Sequence, residues 1–152
     1  MYISEEKALK KVELICSKQE KCKYDIKKKL TNWELKPDSI DRIISKLEKD
    51  NFIDEKRYSS FFVRDKFRFN KWGKIKILFT LRQKNIPDKY IFVALNKIDD
   101  KEYIKTLEKE IKKKQKLIKY ETKYELKSKL LRFAESRGFE KDLIFKIIDK
   151  FG

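Results

Sequence analysis

One apolar pattern recurs three times in this chain. Aligning Leu35, Ile86 and Phe139 sets three stretches in register at offsets of 51 (86 minus 35) and 53 (139 minus 86) residues. Under those offsets Ile26 matches Ile77 and Leu130, and Leu30 matches Leu81 and Ala134. Past the aligned position come Ile40, Ile91 and Ile144, then Ile43, Ala94 and Ile147, then Ile44, Leu95 and Ile148, and finally Leu47, Ile98 and Phe151. Within a row the first two columns lie four residues apart and the last four step by three, one and three, the buried stripe of two helices joined by a short turn. A unit of about fifty residues is too small to bury much alone, so copies laid end to end must share faces.

Just before the aligned position stand Glu34, Asn85 and Gly138. Gly and Asn readily take the left-handed conformation that ends a helix, which places the second and third copies' turns there. Glu34 does not fit this rule, and the first copy is expected to turn differently, with Pro37 opening its next helix as Pro87 opens the equivalent one. Upstream of each pair lies a further helix. Leu9, Val12, Ile15 and Cys16 mark it in the first copy; Ile104, Leu107, Ile111 and Ile118 mark it in the third, with Lys114 interrupting the seam. The fold expected is all-α: three tandem three-helix repeats, 1–53, 54–100 and 101–152, in an elongated array with a core continuous across its junctions.

Three glycines and two prolines in 152 residues leave few breakers, in keeping with helices. Forty-one basic residues against twenty-five acidic give a net charge of +16, a field that attracts polyanions. By segment it is +3 for 1–53 (13 minus 10), +6 for 54–100 (12 minus 6) and +7 for 101–152 (16 minus 9). Cys16 and Cys22 have no histidine beside them anywhere in the chain, so they read as reduced thiols and not as a zinc site. The opening MYISEEKALKKVELI lacks the basic flank and apolar run of a signal peptide, and the longest apolar run, Tyr90 to Leu95, is too short to span a bilayer. These features point to a cytoplasmic protein with no membrane contact. No glycine-rich phosphate loop and no nucleophile beside a base is present, so neither catalysis nor a cofactor is expected. Asp99 and Asp100 read as the cap of the following helix.

The stretch Phe52 to Ile86 is the most informative. A helix from Asp54, its N-cap, to about Asn70 carries Arg57, Arg64 and Arg68 within about 40° of one another, one cationic stripe. Tyr58, Phe62, Phe67 and Phe69 read as packing between copies, whereas Trp72 and Phe61 read as exposed. Gly73 reads as a hinge to the next helix. Guanidinium groups suit bidentate contacts with carboxylate or phosphate, so the candidate binding residues are Arg57, Arg64, Lys66, Arg68, Lys71, Trp72, Lys74, Lys76, Arg82 and Lys84. Lys112, Lys113 and Lys116 wrap round their helix and suit a diffuse electrostatic role. Arg57 or Arg64 has an alternative use as an internal bond across a repeat junction.

The order FIDEKRYSSFFVRDK, WGKIKILFTLRQKNI, KLLRFAESRGFEKDLIFKII resembles the RecX family of bacterial regulatory proteins over nearly the whole chain. The similarity is most specific at Ile53, Asp54, Glu55, Arg57 and Tyr58, at Phe62, Val63 and Arg64, at Gly73, Ile77, Leu81, Lys84 and Ile86, and at Leu131, Arg132, Phe133, Arg137, Gly138 and Phe139. Arg132 and Arg137 join the candidate binding residues on this ground. The chain departs from the family at Asn85, where glycine is usual, at Glu34, and in its lysine-heavy surface. The resemblance implies a curved array, a monomer, lying in the groove of the RecA–DNA filament and inhibiting strand exchange, ATP hydrolysis and the SOS coprotease activity. Weak, salt-sensitive binding of single-stranded DNA is also expected. Charge alone supports a second reading, a free-standing nucleic-acid-binding repeat protein.

Overall fold

The computed structural model describes residues 3–151; residues 1, 2 and 152, assigned above to the first and third repeats, lie outside them. The described residues form nine α-helices and no strand: α1 Glu5–Lys18, α2 Lys23–Asn32, α3 Pro37–Lys49, α4 Glu55–Arg68, α5 Lys74–Gln83, α6 Asp88–Asn96, α7 Asp100–Leu117, α8 Lys123–Ser136 and α9 Lys141–Phe151. They pack in three trios: α1 and α2 against α3, α4 and α5 against α6, and α7, α8 and α9 against one another. The seven apolar columns make the cores. Leu35, Ile98 and Phe151 are half-buried and every other member is buried, each Ile or Leu contributing about 1.5–3 kcal/mol.

The caps repeat with the columns. Ser4, Asp54 and Asp99 open α1, α4 and α7, their side chains accepting from the backbone N–H groups of Lys7, Arg57 and Glu102 at 3.2, 3.0 and 3.0 Å. At the other turn Glu34, Asn85 and Gly138 all have positive φ, 63°, 61° and 92°. The next residue's N–H closes back onto the helix in each, Leu35 to Leu30, Ile86 to Leu81 and Phe139 to Ala134, at 3.3, 3.1 and 3.2 Å. The first trio therefore does not turn differently. The backbone bond and the packing of Leu35 hold Glu34 in a conformation that costs a side-chain-bearing residue roughly 1–2 kcal/mol.

The upstream helices bury Ala8, Val12 and Cys16 in α1 and Tyr103, Leu107 and Ile111 in α7. Leu9, Ile15, Ile104 and Ile118 flank those seams half-buried, and Lys114 lays its ammonium 5.2 Å from the Phe133 ring centre. The cores are not continuous throughout. One cluster spans the second and third trios together, whereas the first trio has its own, and Cys22 is the sole first-trio residue in the larger one. The accessible surface is 10303 Å², against about 8,200 Å² for a compact chain of this mass, so the array is elongated. Among the described residues no helix is long and apolar enough to cross a membrane.

Candidate binding surface

The junction between the first and second trios is made of charge. Asp25, in the first turn of α2, accepts from Lys84 Nζ at 2.9 Å, and the same ammonium reaches the Tyr58 hydroxyl at 3.0 Å and lies 5.6 and 5.5 Å from the Tyr58 and Phe62 ring centres. Burial raises the Asp25 carboxyl, but the Lys84 bond and charge and the Cys22 N–H outweigh it and leave the group below its usual range. Arg57 Nε donates to Glu20, and its Nη2 donates to the Asn51 carbonyl at 3.0 Å. Cys22 is fully buried beside these groups, its thiol pushed up to about 12, chiefly by burial; both cysteines are free thiols. A cleft of about 940 Å³ opens here, with lysines 23, 27, 28 and 89 and tyrosines 24 and 90 on its walls.

The junction between the second and third trios is made of backbone. Gly73 N–H donates to the Arg137 carbonyl at 2.7 Å, Ile75 N–H to the Gly138 carbonyl at 2.9 Å, and Lys74 N–H to the Tyr103 hydroxyl at 2.9 Å. Three of the leading donors at the start of α5, which has no side-chain cap and no acidic residue in its first turn, are thus met by the third trio. Gly73 is no hinge. A Cβ there would stand 2.3 Å from the Gly138 oxygen, and one on Gly138 would stand 2.2 Å from Lys76 Cβ. Tyr103 donates onward to Glu140 and packs its ring between Phe67 and Phe139, at 5.7 and 5.2 Å.

These contacts sort the candidate residues. Arg57 and Lys84 bind the first junction internally. Lys71 turns back to the Arg68 carbonyl at 2.6 Å, Arg82 forks onto Asp88 at 3.0 and 2.9 Å, and Lys74 lies 4.8 Å from the Tyr103 ring. Trp72 is not an exposed platform: it is half-buried with its edge toward Phe62, between the ammonium groups of Lys66 at 5.2 Å and Lys76 at 4.5 Å. Lys76 reaches the Ser136 carbonyl at 3.4 Å, Arg137 reaches the Asn70 carbonyl at 3.4 Å, and the Arg137 guanidinium lies 5.2 Å from the Phe133 ring. Lys66, Trp72, Lys76, Arg137, Phe133 and Lys114 therefore form one cation–aromatic strip across the second junction, with Arg132 on the wall of a shallow depression beside it.

Arg64 and Arg68 point outward from α4, away from that strip, and their side chains, with those of Lys113, Lys116 and Arg132, make no hydrogen bond or ion pair among the described residues. Lys112 covers Phe151 at 5.3 Å. Phe61 is half-buried, and Phe69, read as packing, is 80% exposed because α4 ends just before it. Sequence reasoning missed the partners Glu20, Asp25 and Tyr103, and also the exposed Ile75, Phe79 and Phe92; comparing the three copies position by position would have flagged the last three. No group of residues arranged to hold a metal occurs among the described residues.

A family model described as RecX, second three-helix domain, matches residues 54–95. "Regulatory protein RecX" of Clostridium beijerinckii is 34% identical over 139 residues, 90% of this chain and 64% of that protein. The protein of the same name from Clostridium acetobutylicum is 34% identical over 123 residues, 78% of this chain and 56% of that one. The chain thus spans less than two thirds of these relatives' length. Among solved structures, RecX from Lactobacillus salivarius superposes with a TM-score of 0.79 over 96% of this chain and 95% of that one, at 23% identity. A second RecX crystal structure gives 0.86 over 95% and 73%, also at 23%.

Proposed function

The chain belongs to the RecX family of regulatory proteins, and on that premise we propose that it acts without catalysis, binding the RecA–DNA filament and inhibiting its strand exchange, ATPase and coprotease activities. It thereby restrains homologous recombination and the SOS response. The observation that carries this reading is the strip from Lys66 through Trp72 and Lys76 to Arg137 and Lys114: it crosses two trios that share one core, so its spacing is rigid enough to read a repeating surface. Arg64 and Arg68 supply a second, outward-facing pair of unpaired guanidinium groups.

The second reading, a free-standing nucleic-acid binder, draws on the net charge of +16 and on exposed Lys113 and Lys116. Salt separates the two. Affinity for naked single-stranded DNA falls with a log–log slope of about 0.7 per phosphate neutralised. Inhibition of RecA ATPase should persist at a salt concentration that abolishes binding to naked DNA; loss of both together would favour the second reading. The pair Arg64→Ala with Arg68→Ala should weaken the inhibition roughly tenfold with the thermal midpoint unchanged.

A further inference from the structure

The outer face of the second trio differs from its two siblings. Ile75 and Phe79, one turn apart on α5, point away from the buried Ile77 and Leu81 and are 52% and 62% exposed. Arg82 continues the stripe, and its guanidinium lies 6.0 Å from the ring of Phe92, itself 44% exposed on α6. Ile75, Phe79, Arg82 and Phe92 therefore form one surface across the two helices. In the same register the first trio has Tyr24, Lys28 and Asp41, and the third has Ser128, Arg132 and Phe145. The fold is built twice with mostly polar groups at these positions, so nothing in helix packing requires three large apolar residues here. Clustered exposed apolar side chains mark interaction sites far more often than scattered ones do.

We infer that this face docks a protein surface with an apolar centre and an acidic rim; the inference rests on the filament reading above and assigns this face to the filament's protein component. The charge around the face selects that occupant. Helix α5 carries Lys76 and Arg82 beside the stripe and no acidic residue, Lys74 lying instead against the Tyr103 ring, and the carboxylate of Asp88 is already held by Arg82. An apolar centre within a cationic rim is the complement of an acidic-rimmed apolar patch. A nucleic acid fits less well: Ile75 offers no stacking plane, and Lys76, the one cation between Ile75 and Phe79, turns its ammonium to the Ser136 carbonyl and the Trp72 ring.

The siblings supply the test. The triple variant Ile75→Ser, Phe79→Arg, Phe92→Asp places residues of the third, third and first trios where the same fold already accepts them, and its charge changes of +1 and −1 cancel. RecA-filament affinity should fall ten- to a hundredfold, while affinity for naked single-stranded DNA and the thermal midpoint stay at wild-type values. Unchanged filament affinity would overturn the inference alone. Parallel loss of filament and naked-DNA binding would overturn it in favour of a nucleic-acid face. A wild-type dimer in sedimentation that the variant converts to monomer would overturn it in favour of self-association. Failure of the wild-type protein to bind filaments at all would remove the proposed function itself, and this inference with it.

Discussion

The two junctions of the array solve the same problem by opposite means. Between the second and third trios, α5 buries its first N–H groups against the carbonyls of Arg137 and Gly138 and both trios feed one apolar core. Between the first and second, the apolar contribution from the first trio is Cys22 alone, and the link is carried by Lys84 with Asp25 and Arg57 with Glu20. Backbone contact and ring packing respond little to salt or pH. Ion pairs whose side chains are 20–43% exposed respond to both. The molecule is therefore a rigid two-trio body with a first trio attached by a chemically adjustable joint, and the strip proposed to read the filament lies entirely on the rigid part.

The most severe way to break this contrast is to push the rigid junction apart. Gly73→Ala places a methyl group 2.3–2.5 Å from the backbone of Gly138 and Phe139, where no flexible side chain can yield. The cost should be about 3 kcal/mol. Trp33 lies in the first trio and Trp72 in the second, so single-tryptophan backgrounds follow each part in urea. The Trp72 transition should shift strongly and the Trp33 transition weakly; equal shifts would mean that the chain unfolds as one unit and that the contrast between junctions has no energetic meaning.

A smaller effect is expected at the adjustable joint. The Lys84 and Asp25 side chains are 24% and 22% exposed, so Asp25→Ala should cost about 1–2 kcal/mol, between the values of exposed and buried pairs, and should lower the Trp33 midpoint first. Acid probes the same site with a definite sign. Asp25 sits below its ordinary range, so its contribution is complete at neutral pH and disappears as pH falls through that depressed value. Glu55, beside the same joint, is raised, chiefly by burial, and one of its oxygens has no hydrogen-bond partner; its charge costs stability at neutral pH, and protonation relieves this as pH falls through the raised value. Stability of the first trio should therefore rise slightly on mild acidification and then drop. Asp25→Asn should shrink the drop, leaving the part that Glu5 and Arg42 contribute with the same sign, and Glu55→Gln should remove the rise; a monotonic profile in the wild-type protein would contradict both assignments.

The helices and their cores were legible because burial imposes periodicity, and three copies repeat it: every column from Ile26 to Phe151 landed in or against a core. Asp54 and Asp99 were legible as caps because an N-cap needs only a short acceptor at one position. What stayed hidden is set by contacts between distant residues. Nothing local tells that Gly73 faces Gly138, that Tyr103 caps α5, or that Lys84 belongs to Asp25. Glu34 misled for the opposite reason: its own preference argued against a left-handed turn, and the packing of Leu35 overrode it. The surface was least legible, since a lysine that neutralises a neighbour and one that awaits a partner look alike in sequence.

The arginines of α4 give the mildest and sharpest comparison. Arg57 and Arg64 lie two turns apart on one stripe and were candidates for one role, yet Arg57 spends its donors on Glu20 and the Asn51 carbonyl whereas Arg64 stands free. Arg57→Ala should cost about 0.5–1 kcal/mol, and the loss should shrink as salt is raised because the pair is partly solvated. Arg64→Ala should leave stability unchanged and weaken filament inhibition instead. If Arg57→Ala instead weakened inhibition with its melting unaltered, Glu20 would be a resting partner that the filament displaces, and the joint would be a binding surface held closed by its own ion pair.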